Sequence, residues 1–193
     1  MGNSPRRPAE RTVFEEGTAL AVNDPLEHLV ACHELIEEQL RKLETATRRL
    51  AGEAAADRQD ARHTLDEILS RLETLGTLHT ADEEQTLFPR LRAASSEDLF
   101  GLVELAQVLE SQHREKEAAF AALAAEVKGL PAAEQAPSAK QLSRLDGLVE
   151  RLTGLYRPHI MIENERLIPM SKECLKPSEL EAMKQEMKAR RER

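Results

Sequence analysis

Two histidines, each with a glutamate four residues later, recur in this chain at a fixed offset of 80 residues, which gives four such pairs. The pairs are, in chain order, His33 with Glu37, His79 with Glu83, His113 with Glu117, and His159 with Glu163. On a helix, residues four apart lie on one face, so each pair can present an imidazole nitrogen and a carboxylate oxygen to the same point. Repeated donors of these two kinds are typical of a metal site.

A bound metal is the interpretation that best accounts for so many polar donors on apolar faces. Buried carboxylates and imidazoles need a compensating cation, and the apolar faces contain no lysine or arginine at this layer. Imidazole and carboxylate without thiolate favour iron, manganese or zinc. The repeat predicts two metals, one held by His33 and His79 and the other by His113 and His159, with Glu83 and Glu163 bridging them.

The other two glutamates of the pairs, Glu37 and Glu117, allow three interpretations. They lie one helical turn from His33 and His113 and could complete the ligand shell of each metal. Alternatively, they accept hydrogen bonds that orient a histidine, or they are solvated.

Neighbouring polar residues are assigned to packing or to solvent. Cys32 points about 100° away from His33 around the helix and is predicted to pack. Tyr156 is predicted to pack in the core, with a hydrogen bond near the metals as the alternative. The residues predicted to lie on the surface are His28, His63, Glu34, Glu38, Glu84 and Glu165.

The elements that must position these donors are helices. Tryptophan is absent, aromatic residues make up 3% of the chain, and alanine, leucine, glutamate and arginine are abundant. Apolar residues spaced three and four apart in four segments predict an all-α fold, an antiparallel up-down four-helix bundle with a short C-terminal extra helix. Counting along the helices from their connections puts all four histidines within a turn or two of one level.

The segment boundaries follow from caps, prolines and glycines. The four helices are predicted from Asn23 or Asp24 to Gly52, from Asp57 to a last part that Pro89 disturbs, from the Ser95–Ser96 cap to Gly129, and from Ser138 onward, with a kink at Pro158. Three regions are predicted: a flexible tail over 1–20 with Val13 and Phe14 as anchors, a bundle over 21–176, and a peripheral helix over 177–193.

Charge and hydropathy exclude several classes of function. The net charge of -8 argues against nucleic acid as a partner. The chain has no run of about 20 apolar residues and no secretion signal, which predicts a cytoplasmic protein without a membrane segment. The two cysteines are too few for a disulfide framework and are expected to be reduced. The sequence identifies no protein partner.

The motifs resemble those of the hemerythrin-like, or HHE cation-binding, proteins. The resemblance covers about residues 24–172 and rests on His33, His113 and the stretches HTADEEQTLFPRL and HIMIENERLIP. It implies a non-haem di-iron centre, two iron ions bridged by an oxo or hydroxo group and by the carboxylates of Glu83 and Glu163. The set of four histidines and two glutamates is similar to that of the bacterial iron-centre repair proteins of nitric-oxide stress.

Two departures from these relatives shape the expected function. Oxygen-carrying hemerythrins have a second histidine where this chain has Glu117, and the repair proteins usually have an N-terminal domain with a cysteine pair, for which residues 1–23 are too short. We expect a di-iron protein that binds or senses oxygen or nitric oxide in redox, nitric-oxide or iron stress. The alternatives are a di-iron oxidoreductase acting on hydrogen peroxide, catalase- or peroxidase-like, or on nitric oxide, and an iron storage or donation protein.

Overall fold

The computed structural model describes residues 22–94 and 100–192, and within these ranges the chain is helical and has no strand. The elements are α1 (Pro25–Arg49), α2 (Ala55–Asp82), a π-helical turn (Glu83–Leu87), α3 (Phe88–Ala93), α4 (Phe100–Lys128), α5 (Ala139–Ile162), a second π-helical turn (Glu163–Leu167), α6 (Ile168–Cys174) and α7 (Pro177–Arg191). The predicted all-α fold is confirmed. The predicted tail with Val13 and Phe14, and the Ser95–Ser96 cap, lie outside the described residues.

The long helices α1, α2, α4 and α5 form the bundle. Helix α1 packs against α2 and α5, and α4 packs against α5 and α2. Two of the predicted starts are confirmed by their caps. The Asp24 carboxylate accepts from the backbone N–H groups of Leu26 and Glu27 at 2.8 and 3.0 Å, and Ser138 forms a capping box with Gln141. No helix of the described ranges is long and apolar enough to cross a membrane.

The apolar core consists of two clusters, one on each side of a polar layer. The first, near the α1–α2 and α4–α5 connections, includes Leu40, Leu65 and Leu145. The second, at the opposite end of the bundle, includes Leu29 and Phe88. A polar layer between two dry clusters is held in place by the packing on both sides.

The two π-helical turns occur at equivalent places in the repeat. One begins at Glu83 and the other at Glu163, and a proline, Pro89 or Pro169, follows each turn after one residue of α-helix. Proline has no N–H group to donate to the turn before it, which favours a locally widened helix. The disturbance predicted from Pro89 is confirmed by the first of these turns. Helix α5 continues through Pro158 to Ile162, so its irregular turn lies further along the chain than the predicted kink.

Helix α7 is a fifth helix outside the four, as predicted, but it is firmly attached to them. Met183 and Met187 are fully buried in the second apolar cluster. Asp82, at the end of α2 and fully buried, pairs with Arg190 and with Arg191, whose Nη2 lies 2.5 Å from Asp82 Oδ2. This helix therefore closes one end of the bundle.

The prediction that His28 lies on the surface is wrong, because the residue is only 4% exposed. Helix α7 packs against α1, and it supplies Arg191 to the same cluster as His28. The Nε2 atom of His28 lies 3.8 Å from Asp82 Oδ2 and 3.5 Å from Cys32 Sγ. Periodicity within α1 cannot show which of its faces a later helix covers.

The buried His28 predicts an acid-sensitive fold. Burial, reinforced by Arg191, lowers the pKa of His28 to about 4, whereas in the unfolded chain it is about 6.5. The folded imidazole stays neutral while the unfolded one takes up a proton, so its contribution to stability is complete above pH 6.5 and falls as the pH approaches 4. We expect His28 to account for a loss of about 2 kcal/mol in unfolding free energy between pH 7 and 5.

Urea denaturation of the metal-free protein at these two pH values measures the loss. His28→Gln is expected to remove most of it. His63→Gln is the matched control, because His63 is exposed and pairs only with Glu67 at 3.2 Å among the described residues. Equal losses in wild type and His28→Gln would show that His28 is not held neutral.

Candidate metal centre

Six of the eight predicted donor residues meet in the polar layer between the two apolar clusters. They form two groups of four that share Glu83 and Glu163, and within each group one donor atom from each residue lies within 4.8 Å of the others. Every member is 5% exposed or less. The groups are His33, His79, Glu83 and Glu163, and Glu83, His113, His159 and Glu163.

The first group is built around a close pair of imidazoles. The Nε2 atoms of His33 and His79 lie 3.1 Å apart, and their ring centroids are separated by 4.6 Å. His33 Nε2 is also 2.9 Å from Glu163 Oε2. Helices α1 and α2 thus direct two nitrogen donors towards a common point, and the π-helical turn after α5 directs one carboxylate oxygen there.

The second group repeats this arrangement with the other oxygen of the shared carboxylate. His159 Nε2 lies 2.7 Å from Glu163 Oε1, and the ring centroids of His113 and His159 are 4.9 Å apart. Glu83 Oε2 faces one histidine of each group, at 3.2 Å from His113 Nε2 and 3.5 Å from His79 Nε2. Both carboxylates lie between the two histidine pairs, as bridging ligands would.

The donor atoms have the environment that a cation requires. Both oxygens of Glu83 and of Glu163, and Nε2 of His113 and His159, are buried without a hydrogen bond, although nitrogen and oxygen approach closely. Buried polar atoms are normally hydrogen-bonded, so orphaned atoms that converge in two sets need another partner. The residues present therefore fit a metal with nitrogen and oxygen ligands.

The electrostatics of the layer agree with this geometry. Burial alone would raise the pKa of Glu163, but the facing imidazoles, above all His159 and His33, hold it well below its usual range. Burial opposes protonation of His33, yet Glu163 outweighs it and raises the pKa of that imidazole. In the metal-free layer the ionised Glu163 thus favours the protonated form of His33, and metal binding at His33 would displace that proton.

Contacts behind three of the histidines fix their tautomers. His33 Nδ1 lies 2.7 Å from Asn164 Oδ1, and His113 Nδ1 lies 2.7 Å from Glu84 Oε1. His159 Nδ1 lies 2.8 Å from Gln112 Oε1. Because these oxygens only accept, Nδ1 donates, and Nε2 of each neutral ring keeps its lone pair for the centre.

The prediction that Glu84 lies on a solvated face is corrected by the structure. The Glu84 side chain is only 36% exposed and it orients His113. Glu84 and Asn164 are related by the same offset of 80, each directly after a bridging glutamate. That position in the repeat was the signal that could have identified both residues.

Glu37 and Glu117 are not among the grouped donors. Glu37 is half-buried and faces Arg157 at 3.6 Å and Arg41 at 3.8 Å, while Glu117 is exposed. Of the three interpretations left open, ligation therefore has no support from the geometry. Glu37 contributes to a cavity of about 490 Å³ that reaches His33 from the surface, between α1 and the end of α5.

The remaining assignments are mostly confirmed. Cys32 is buried and lies outside both donor groups, and Tyr156 packs in the first apolar cluster. His63, Glu34 and Glu165 are exposed. Glu38 is partly exposed in an ion pair with Lys42 at 2.6 Å.

One buried cation was not predicted, because the sequence pattern indicated no lysine or arginine at the layer. Lys116, one turn after His113 on α4, is 4% exposed. Its ammonium lies over the ring of Tyr156, 4.7 Å from the centroid. The spacing of three residues from His113 was the available signal, since it places Lys116 on the ligand face of α4.

The fold and the donors define a helical-bundle protein with a buried histidine and glutamate cluster suited to a cation. The chain matches the hemerythrin HHE cation binding domain over residues 24–171 and belongs to that family. It is also 30% identical over 170 residues to an uncharacterized protein of Haemophilus influenzae, a match that covers 88% of this chain and 91% of the relative. The resemblance inferred from the motifs is confirmed.

Proposed function

We propose that this protein is a non-haem di-iron protein that binds or senses a small diatomic ligand, oxygen or nitric oxide, in redox, nitric-oxide or iron stress. The observation that carries the proposal is the pair of donor groups sharing Glu83 and Glu163. Two ions held by shared carboxylates would be able to act on one small molecule. Iron is the metal proposed because the chain belongs to the hemerythrin family and its donors are imidazole and carboxylate.

The protein residues leave room for a ligand at each metal position. Each donor group offers two imidazoles and two carboxylates, fewer donors than the six that iron accommodates in octahedral sites. Glu37 and Glu117, which could have filled a further position, lie elsewhere. When bound, the two ions supply open coordination positions and reversible electron transfer. The chain supplies orientation and a buried layer between two apolar clusters.

A second function is favoured by the buried polar groups next to the layer. Lys116 and Tyr156 both carry protons and lie one turn from ligands of the second donor group. Reduction of hydrogen peroxide or nitric oxide consumes protons, so such groups suit an oxidoreductase. We therefore retain a di-iron oxidoreductase as the second candidate.

Iron stoichiometry and the visible absorption spectrum test the proposal. The protein is loaded anaerobically with iron(II), and bound iron is counted before oxygen is added and then removed under inert gas. We expect about two irons per chain, as the two donor groups require. A reversible oxygen-dependent band supports the binding or sensing function.

The alternative outcomes are distinct. Two irons with an irreversible change to a ferric spectrum would favour the oxidoreductase, especially if the protein also consumes hydrogen peroxide. Glu117→Gln is the matched control for loading, because Glu117 is exposed and outside both groups. Failure of the wild-type protein to bind iron would overturn the di-iron proposal.

A further inference from the structure

Helix α7 packs against the first π-helical turn, the segment that carries Glu83. Arg190 of α7 donates to the Asp82 carboxylate directly before this turn, and its Nη2 atom lies 3.1 Å from Thr86 Oγ1 within the turn. Asp82, Glu83 and Thr86 are fully buried. One guanidinium group from a distant helix thus bonds to residues on both sides of Glu83.

A second set of contacts joins the end of the same turn to α7. Arg90, in α3, donates to the backbone carbonyl of Thr86 at 2.7 Å. The same guanidinium forms a bidentate pair with Glu186 of α7, at 2.6 and 3.0 Å. A bidentate pair fixes orientation as well as distance. The turn is therefore connected to α7 at Asp82, at Thr86 and through Arg90.

The second π-helical turn, which carries Glu163, lacks this support. The offset of 80 relates Asp82 to Ile162, which has no carboxylate. Thr86 corresponds to Arg166, a cation that cannot accept a hydrogen bond. Among the described residues, no hydrogen bond or ion pair joins Ile162 or Arg166 to α7. The two turns therefore occupy equivalent places in the repeat but differ in what holds them.

The position of Glu83 depends on its backbone, because both of its carboxylate oxygens are buried without a hydrogen bond. Its Oε2 atom lies 3.2 and 3.5 Å from the nearest imidazole nitrogens, whereas the oxygens of Glu163 approach theirs to 2.7 and 2.9 Å. The π-helical turn is a rare, locally widened helix. A support that fixes the shape of this turn therefore also fixes the direction of the Glu83 carboxylate.

We propose that α7 positions Glu83 for metal binding, with Arg190 as the positioning residue, and that release of α7 weakens the metal site. The inference rests on the proposed di-iron function and adds a regulation of it, because metal retention depends on a helix outside the four-helix bundle. The coupling is reciprocal. A helix that strengthens metal binding is itself held more tightly when metal is bound.

Hydrogen exchange of the metal-free protein tests the support of the turn. Arg190→Met removes the guanidinium and keeps an unbranched side chain, while Arg191 remains to pair with Asp82. We expect amide exchange over 83–87 to rise about tenfold or more, because the turn opens locally. Exchange over 163–167 should stay within about twofold of wild type, since α7 does not hold that turn.

Iron(II) affinity, measured anaerobically by competition with a chelator, tests the coupling. We expect Arg190→Met to bind iron about tenfold more weakly than wild type, as when a residue that orients a ligand is removed. Thr86→Val removes the hydroxyl within the turn and keeps the pairs of Asp82 with α7, and it should cause a comparable loss. The double variant should lose little more than either single one, because both remove the same interaction.

Lys188→Met is the matched control, because it removes a positive charge from the last turn of the same helix. Lys188 has no hydrogen bond or ion pair within the part of the chain that the structure describes. Exchange over 83–87 and iron affinity should both stay within about twofold of wild type in this variant.

Unchanged exchange over 83–87 in Arg190→Met would overturn the inference, and so would iron affinity equal to that of the wild type in Arg190→Met and Thr86→Val. An equal rise in exchange over 83–87 and 163–167 would also overturn it, because general destabilisation affects both turns. Failure of the wild-type protein to bind iron would instead refute the proposed function, and the exchange of the metal-free protein would still decide whether α7 supports the turn.

Discussion

Replacement of Glu163 by glutamine is expected to abolish binding of both metals, with a loss in affinity of at least about 100-fold. Loss of a residue that merely orients a ligand costs about 10- to 100-fold in affinity. Glu163 belongs to both donor groups and directs one oxygen to His159 and the other to His33. A neutral amide removes the charge that offsets the cations, and its NH2 group cannot act as a second oxygen donor.

Thermal unfolding with and without iron(II) under anaerobic conditions measures this effect independently of any reaction. A ligand that binds only the folded state at 100 times its dissociation constant stabilises it by about 2.7 kcal/mol. We expect this stabilisation in the wild type and in Glu117→Gln, whose side chain is exposed. In Glu163→Gln the metal-dependent stabilisation should disappear while the helical circular dichroism is retained. Two irons bound to Glu163→Gln would contradict the bridging role.

Replacement of Asp82 by alanine is expected to be the most destabilising of the substitutions considered, at about 3 kcal/mol in unfolding free energy. Asp82 is fully buried and pairs with Arg190 and Arg191, whose side chains are 18% and 9% exposed. Its removal leaves two largely desolvated guanidinium groups without their carboxylate. Helix α7 loses its attachment to α2, and the packing of Met183 is weakened with it.

Urea denaturation of the metal-free protein measures this loss. Glu186→Gln is the matched control, because Glu186 on the same helix pairs with Arg90 at 2.6 Å while its side chain is 44% exposed. An exposed ion pair contributes at most about 1 kcal/mol. If Asp82→Ala and Glu186→Gln have equal effects, the buried cluster does not hold α7 in place.

The helices and the donor residues could be predicted because the information for them is local. Helical periodicity places residues four apart on one face, and the offset of 80 identifies the two halves of the donor set before any contact is known. The cap of α1 also acts on adjacent residues, and Asp24 is one of the two residues predicted for it. The periodicity and the cap depend on interactions within about one turn of helix, and the offset of 80 is visible in the sequence itself.

The errors arose where the direction of a side chain depends on a distant element. His28 was assigned to the surface, but α7 packs against α1, and Asp82 and Arg191 lie beside the imidazole. Glu84 was assigned to solvent, but it meets His113 from another helix. In each case a segment remote in the sequence covers a polar helix face that the sequence pattern assigns to solvent.

The sequence by itself determined the class of fold, the six converging donors and the kind of metal chemistry they suit, because these follow from residue type and helical spacing. The tertiary structure alone decided which polar residues join them. It turned Glu37 towards Arg157, left Glu117 in solvent and buried Lys116 against Tyr156. The physical reason is that periodicity defines a face of one helix, whereas the partners of that face depend on how the helices pack.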